Sequence, residues 1–145
     1  MAEVVVQRRI AAPAQRVWQI LSEFGGLAAW NPGIESCSVE GEGIGAVRTI
    51  GMAGGFSLQE RLEAHDPEAH HYAYSIVGEP PLPFGDYLSN VRVEPEGEGA
   101  CRVDWRGRFE PKGDEATAAK IITSIYSGGL AALGKHLGVS VEEVD

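Results

Sequence analysis

The chain has 145 residues, which suits one domain able to bury about two-thirds of its unfolded surface, so we expect a single domain over residues 1–145. Its 21 acidic and 12 basic residues give a net charge of −9, which opposes binding to nucleic-acid phosphates and anionic membranes. No apolar run approaches the roughly 18 residues of a membrane span, and the start, MAEVVVQRR, carries charge where a signal peptide needs apolar residues. We therefore expect a cytoplasmic protein without nucleic-acid binding or membrane insertion.

The beginning of the chain predicts one strand followed by two short helices. EVVVQRRI is strand-like, and in AQRVWQILSEF the apolar residues recur at helical spacing. Pro13 suits the first turn of this helix, and a glycine pair ends it. LAAW predicts a second helical turn that stops near Trp30, because the next residue, Asn31, precedes a proline.

The middle of the chain, from Ile34 to Pro111, predicts six further strands, which makes seven with the first. Turn signals separate them: GEGIG, MAGG, HDPEAH, EPPLPFG and EPEGEG. The last two strands alternate most clearly, and their apolar rows need a cover. These inward rows consist of Tyr87, Ser89, Val91 and Val93 in one strand and Val103, Trp105, Gly107 and Phe109 in the other.

The final segment, DEATAAKIITSIYSGGLAALGKHL, predicts the long helix that supplies this cover. Asp114 suits the N-cap and Gly138 suits the end of the helix. The predicted sheet-facing stripe contains Ala118, Ile121, Ile122, Ile125, Gly129, Ala132 and Leu133. The order of elements indicates an α+β fold in which a curved seven-stranded antiparallel sheet wraps around the C-terminal helix.

The stretch RTIGMAGGFSLQERL places two charged residues among those that face the predicted core. Phe56, Leu58 and Glu60 share one face of their strand, and Arg48 lies on the matching face of the preceding strand. A buried carboxylate without a partner is costly. Glu60 therefore requires a pairing with Arg48, ordered water or a ligand.

Other cofactor and catalytic patterns are weak in this sequence. Cys37 and Cys101 lie in strand-like runs and are interpreted as free thiols. His65, His70 and His71 surround a turn without the carboxylate or cysteine spacing of a metal site. Neither a phosphate-binding glycine loop nor a Ser-His-Asp or Cys-His pattern is recognisable. We predict no metal and no cofactor.

Four segments carry a resemblance to a known superfamily: IAAPAQRVWQILSEFGGLAAWNPGI, GAVRTI, QERLEAHDPEAHHYAYSIV and DYLSNVRVEPEGEGACRVDWRGRFEP. The chain resembles the helix-grip (SRPBCC) superfamily, which includes START lipid-transfer domains, birch-pollen allergens and plant abscisic-acid receptors. Within this superfamily, the chain most resembles the bacterial polyketide cyclase/dehydrase-like branch. The resemblance implies a hydrophobic cavity between sheet and long helix. The small residues Gly128, Gly129 and Ala132, facing a wall of aromatic residues, predict a cavity volume on the order of a few hundred cubic ångströms.

The resemblance also implies where a ligand's polar end would bind. Positions matching Arg48, Glu60, Tyr87 and Ser89 lie in the receptors' pocket. The receptors' proline-containing gate is replaced here by MAGG and their latch by EPPLPFGD, so hormone recognition is not carried over. Trp105 replaces a pocket glutamate, which predicts a narrower and more apolar pocket.

The predicted ligand-binding residues combine inward parity with this resemblance. They are Trp30, Arg48, Ile50, Met52, Leu58, Glu60, Tyr72, Tyr74, Ile76, Phe84, Tyr87, Ser89, Trp105, Phe109, Ile122, Ile125 and Gly129.

Four interpretations of these residues remain open at this level. The leading one is a protein that binds a small hydrophobic lipid, aromatic or polyketide-like molecule. A second is a cyclase or dehydratase in which Glu60 acts as acid or base and Tyr87 or Arg48 stabilises an enolate. A third is a chaperone-associated or other protein-interaction module. In the fourth, Arg48 and Glu60 only fill the sheet interior. The sequence does not specify an oligomeric state.

Overall fold

A computed structural model, which describes residues 1–144, shows a curved antiparallel sheet and a long C-terminal helix, as in the predicted helix-grip fold. The described strands are β1 (Ala2–Ile10), β2 (Ile34–Glu40), β3 (Val47–Met52), β4 (Ser57–Asp66), β5 (His71–Ile76), β6 (Phe84–Pro95), β7 (Cys101–Pro111) and β8 (Val141–Glu143). The described helices are α1 (Ala14–Leu21), α2 (Leu27–Trp30) and α3 (Glu115–Leu137). The strand order is β2-β3-β4-β5-β6-β7-β1-β8, so the first strand closes one side of the hairpin series.

The eighth strand corrects the predicted count of seven. β8 pairs antiparallel with the end of β1, where Val141 lies opposite Ile10. Three residues are too few to establish a two-residue periodicity, so the sequence pattern did not reveal this strand. Gly134 of α3 approaches Val141 so closely that a Cβ at this glycine would collide with the valine side chain. Helix and edge strand are therefore packed together.

Local sequence signals explain the elements that surround the cavity. Gly54 and Gly55 have φ angles of 86° and 82°, which permit the tight turn between β3 and β4. At the start of α3, the Asp114 side chain accepts a hydrogen bond from the backbone N–H of Thr117. Gly138 ends the helix with φ 71°. The predicted limits of this helix are confirmed.

The buried face of α3 differs from the predicted stripe. Ile121 and Ile125 are 36% and 53% exposed, whereas Tyr126 and Leu130 are fully buried. The predicted face was therefore rotated too far toward the two isoleucines. Helix α3 carries apolar residues on more than one side. Only its contacts with the sheet therefore determine which side is buried.

Several smaller expectations concern the cysteines, the histidines and the membrane. Cys37 and Cys101 are both free thiols, the first half-buried and the second fully buried. The His70 ring stacks on Trp18, with 5.4 Å between ring centroids. His71 shares a hydrogen bond of 2.8 Å with Asn90. None of the helices within residues 1–144 is both long and apolar enough to cross a membrane.

Candidate ligand-binding site

A cavity of about 130 Å³ lies between the concave face of the sheet, α2 and α3. It is walled mainly by apolar and aromatic side chains from α2, β3, β4, β5, β6, β7 and α3. Its volume is smaller than the few hundred cubic ångströms expected from the sequence. An apolar cavity of about 150 Å³ holds a benzene molecule, so this space suits a single ring or a short chain.

Most of the residues predicted to contact a ligand line this cavity together. They are Trp30, Arg48, Ile50, Met52, Leu58, Glu60, Tyr72, Tyr74, Ile76, Phe84, Tyr87, Trp105, Ile122 and Ile125. Strand alternation explains this convergence, because alternate side chains of each strand share the concave face.

Three predicted residues lie behind the wall instead of in it. Trp105 covers two of them: its indole N–H donates to Ser89 Oγ at 2.8 Å, and its ring rests against Gly129. Phe109 is fully buried and packs edge-on against Phe84. Gly128 was expected to leave open space beside the aromatics, but it is exposed on the outer side of α3. The space that the small helical residues leave is therefore occupied by Trp105, which explains the small volume.

Five further residues line the cavity and were absent from the predicted set: Leu27, Asn31, Ile34, Phe56 and Leu82. Phe56 shares the strand face of Leu58 and Glu60, so parity alone could have identified it. The other four lie at α2, at the start of β2 or in the β5–β6 loop, where no periodicity indicates a direction. Their positions depend on how these segments pack over the sheet.

The polar feature of the cavity is the ion pair between Arg48 and Glu60. The two residues lie directly opposite each other in the β3–β4 ladder, which brings their side chains to the same face. Arg48 Nε and Nη2 both bind Glu60 Oε1, at 2.9 Å and 2.7 Å. Nη1 donates to the backbone carbonyl of Phe24 at 3.1 Å. The side chains are only 3% and 8% exposed, so this pair is shielded from solvent.

Aromatic rings enclose the Arg48 guanidinium. Its central carbon lies 4.2 Å from the centroid of the Phe24 ring and 4.9 Å from that of Tyr74. Such contacts are favourable for a guanidinium that has been removed from water. Phe24 was predicted as part of the first helix, but it lies beyond the end of α1 and holds Arg48 through both its carbonyl and its ring.

Burial shifts the proton equilibria of this site. Burial raises the pKa of Glu60 above its usual range, although the Arg48 charge and hydrogen bonds oppose this shift. Burial lowers the pKa of Arg48, but Glu60 and the nearby tyrosines raise it by more, so the guanidinium stays charged. Burial also raises the pKa of Tyr72 to about 12, against the opposing charge of Arg48. The tyrosine hydroxyls of the lining are therefore protonated at neutral pH.

A hydrogen-bonded cluster supports the part of the cavity wall that Trp105 forms. The Tyr126 hydroxyl donates to Ser89 Oγ at 3.0 Å, and the hydroxyls of Tyr87 and Tyr126 share a further hydrogen bond. The Trp105 and Tyr126 rings stack with centroids 4.5 Å apart. Gly107 makes room for this cluster, because a Cβ there would collide with the Tyr126 hydroxyl. The indole of Trp105 is thus fixed in orientation.

A second hollow of about 380 Å³ adjoins the cavity at the β5–β6 loop. Ile76, Phe84 and Tyr87 line both spaces. The remaining lining of the second hollow is more polar and includes Glu79 and Lys112. The smaller cavity contains the enclosed ion pair and most of the aromatic wall, and it is therefore the candidate site.

Known proteins share this fold and parts of this sequence. A family model described as polyketide cyclase/dehydrase and lipid transport matches residues 1–138. The abscisic acid receptor PYL6 of Arabidopsis thaliana is 38% identical over 81 residues, which represent 51% of this chain and 37% of the receptor's length. The solved structure of XoxI from Bacillus cereus has a TM-score of 0.85 and 32% identity, covering 93% of this chain and 94% of that one.

A plant enzyme shares the fold at lower identity. Norcoclaurine synthase from Thalictrum flavum, solved with dopamine and hydroxybenzaldehyde, has a TM-score of 0.74 and 19% identity. The similarity covers 94% of this chain and 87% of that one. At this sequence identity, the similarity shows a shared fold and nothing further.

Proposed function

The chain belongs to the polyketide cyclase/dehydrase and lipid transport family, and on that premise we propose that it binds a small, mostly apolar molecule between the sheet and α3. The observation that carries this proposal is a partly open apolar cavity whose wall contains one charge-neutral ion pair. Concave apolar sites with a few convergent polar groups are the usual design for small-molecule ligands. A relative supports it, since PYL6 is by name a receptor for abscisic acid.

The size and the walls of the cavity limit which ligands can bind in it. About 130 Å³ admits one aromatic or alicyclic ring with short substituents, but not a long lipid chain in full. Tyr72, Tyr74 and Trp105 are rigid aromatic walls that favour contact with another ring. A larger ligand would have to extend past Ile125, which is half exposed at the mouth.

Two substitutions on α3 test whether the ligand occupies this cavity. Ile125→Trp places a larger side chain at the cavity mouth, whereas Ile121→Trp makes the same change at an exposed position that does not line the cavity. We expect Ile125→Trp to weaken binding of p-cresol at least about tenfold in calorimetric titrations, while Ile121→Trp binds like the wild type. Equal affinities in both variants would contradict binding in this cavity.

The natural ligand is best sought by native mass spectrometry of protein purified from its source cells. We expect a co-purifying molecule with a ring or short apolar body, and lower occupancy in Ile125→Trp than in Ile121→Trp. A molecule retained equally by the two variants would lie elsewhere on the protein.

A second candidate function, proton abstraction, is favoured by the environment of Glu60. Burial raises the pKa of this carboxylate, which makes it a stronger base than an exposed glutamate. It could remove a proton from a carbon next to a carbonyl, with the electron pair moving onto the carbonyl oxygen. A tyrosine hydroxyl of the wall, such as that of Tyr72, would donate a hydrogen bond to the resulting enolate.

Isotope exchange distinguishes this enzyme from a binding protein. In deuterated water, the α-protons of 4-hydroxyphenylacetone should exchange faster with wild-type protein than with Glu60→Gln, as followed by proton NMR. Exchange at the same rate with both proteins would leave Glu60 without a catalytic role.

A further inference from the structure

The positive charge in the cavity wall is already neutralised. Arg48 is the one cation among the cavity-lining residues of the described chain, and Glu60 lies in direct contact with it. Of the five N–H groups of Arg48, that of Nε donates to Glu60 Oε1 and one of Nη1 donates to the Phe24 carbonyl, while Nη2 lies 2.7 Å from Glu60 Oε1. The rings of Phe24 and Tyr74 lie against the guanidinium. A ligand carboxylate would therefore add a second negative charge beside Glu60 without a cation of its own.

The pair leaves hydrogen-bonding capacity of a different kind. Both contacts of Arg48 are made to Oε1, so Glu60 Oε2 is left as an acceptor in the cavity wall. Trp30, which is 5% exposed, also lines the cavity, and its indole Nε1–H has no hydrogen-bond partner within residues 1–144. A buried donor without a partner is unfavourable, and a ligand oxygen can satisfy it. The wall thus offers an acceptor at Glu60 Oε2 and a donor at Trp30 Nε1, beside the hydroxyls of Tyr72 and Tyr74.

These observations indicate the chemistry of the ligand's polar groups. A hydroxyl donates to a carboxylate and accepts from an N–H, and it adds no charge to the cavity. We propose that the site selects neutral, hydroxyl-bearing ring compounds, phenols or cyclic alcohols, and discriminates against the corresponding carboxylates. Glu60 and Trp30 are the residues that determine this specificity. The inference rests on the proposed binding function and adds the ligand class to it.

Three probes with the same apolar body test the preference. Toluene has no polar group, p-cresol adds a hydroxyl and p-toluate adds a carboxylate that is ionised near neutral pH. Calorimetric titration of the full chain should give p-cresol the highest affinity, at least about tenfold above both other probes. If p-toluate or toluene binds as tightly as p-cresol, the inferred specificity is overturned while cavity binding itself stands. If none of the three binds, the proposed binding function fails and the specificity fails with it.

Variants at Glu60 and at Trp30 test the roles of the two residues one at a time. Glu60→Gln removes the negative charge but retains an amide oxygen as an acceptor for Arg48, so p-toluate should gain at least about tenfold relative to p-cresol. Glu63→Gln on the exposed, opposite face of β4 is the matched control and should leave the preference unchanged. An unchanged preference in folded Glu60→Gln would overturn the role of Glu60.

Trp30→Phe provides an independent test because it removes only the indole N–H and part of the ring. We expect weaker p-cresol binding and unchanged toluene binding. Trp18→Phe is the matched control, since Trp18 does not line the cavity and its ring contacts the wall only from the outer side, at Tyr72. Equal losses for p-cresol and toluene in Trp30→Phe would show a change of shape alone and contradict the hydrogen bond.

Discussion

Replacing Glu60 with leucine should destabilise the fold strongly, because it leaves a buried charge without its partner. The Arg48 side chain is 3% exposed, and without Glu60 it would keep the Phe24 carbonyl as its hydrogen-bond acceptor. Removing one member of a buried ion pair costs about 3–5 kcal/mol. For a chain of this size, about 3 kcal/mol corresponds to a fall in melting temperature of roughly 6–12 °C.

The double variant Arg48→Leu, Glu60→Leu gives the decisive comparison. Replacing both charges removes the unpaired group, and apolar residues of similar volume are often neutral or stabilising in place of a buried pair. We therefore expect the double variant to regain most of the free energy of unfolding that Glu60→Leu loses. Urea unfolding of the wild type, both single variants and the double variant, followed by circular dichroism, yields the coupling energy.

The structure also provides a control for this comparison and the results that would contradict it. Glu63→Leu changes an exposed glutamate on the same strand and should shift the free energy of unfolding by no more than about 0.5 kcal/mol. If Glu60→Leu costs less than about 1 kcal/mol, the pair does not carry a buried charge in solution. If the costs of the two single variants simply add in the double variant, Arg48 and Glu60 are not coupled.

Two further predictions concern the supporting wall. Gly107→Ala should lower the free energy of unfolding by about 1–3 kcal/mol in urea titrations, because the new methyl group collides with the Tyr126 hydroxyl, and adding Tyr126→Phe should relieve part of this cost. All four tyrosines of the chain, Tyr72, Tyr74, Tyr87 and Tyr126, have pKa values raised chiefly by burial. Unfolded tyrosines ionise near pH 10 whereas the folded ones keep their protons, so stability should fall as the pH rises above 10. Phenolate absorbance rising near pH 10 in a chain that circular dichroism shows still folded would contradict this burial.

Strand alternation explains why so much of the sheet was predictable. In β7, Val103 and Phe109 are fully buried and Arg106 and Arg108 are exposed, as the two-residue period requires. The same alternation predicts that Glu60 lies on the concave face of the sheet. A side chain's face in a strand is a local property, because the pleated backbone alone determines it.

The candidate site was less predictable where it depends on helices and loops. The pattern of α3 was compatible with burial of Ile125, but in the fold Tyr126 turns toward the sheet and Ile125 lies at the cavity mouth. Leu82 and Asn31 belong to segments without periodicity, so only packing brings them to the lining. Phe24 contacts Arg48 across a separation of 24 residues, which no local pattern indicates.

The sequence by itself determined the order of the main elements, the faces of the strands and the inward placement of Glu60, because backbone geometry and residue type are local causes. Only the tertiary structure decided that Trp105 fills the space beside Gly129 and that the cavity shrinks to about 130 Å³. It also decided that Arg48 binds one carboxylate oxygen and leaves the other in the wall. Volumes and spare hydrogen-bonding atoms depend on side chains from distant segments meeting at fixed distances, and such distances are set only when all these segments pack together.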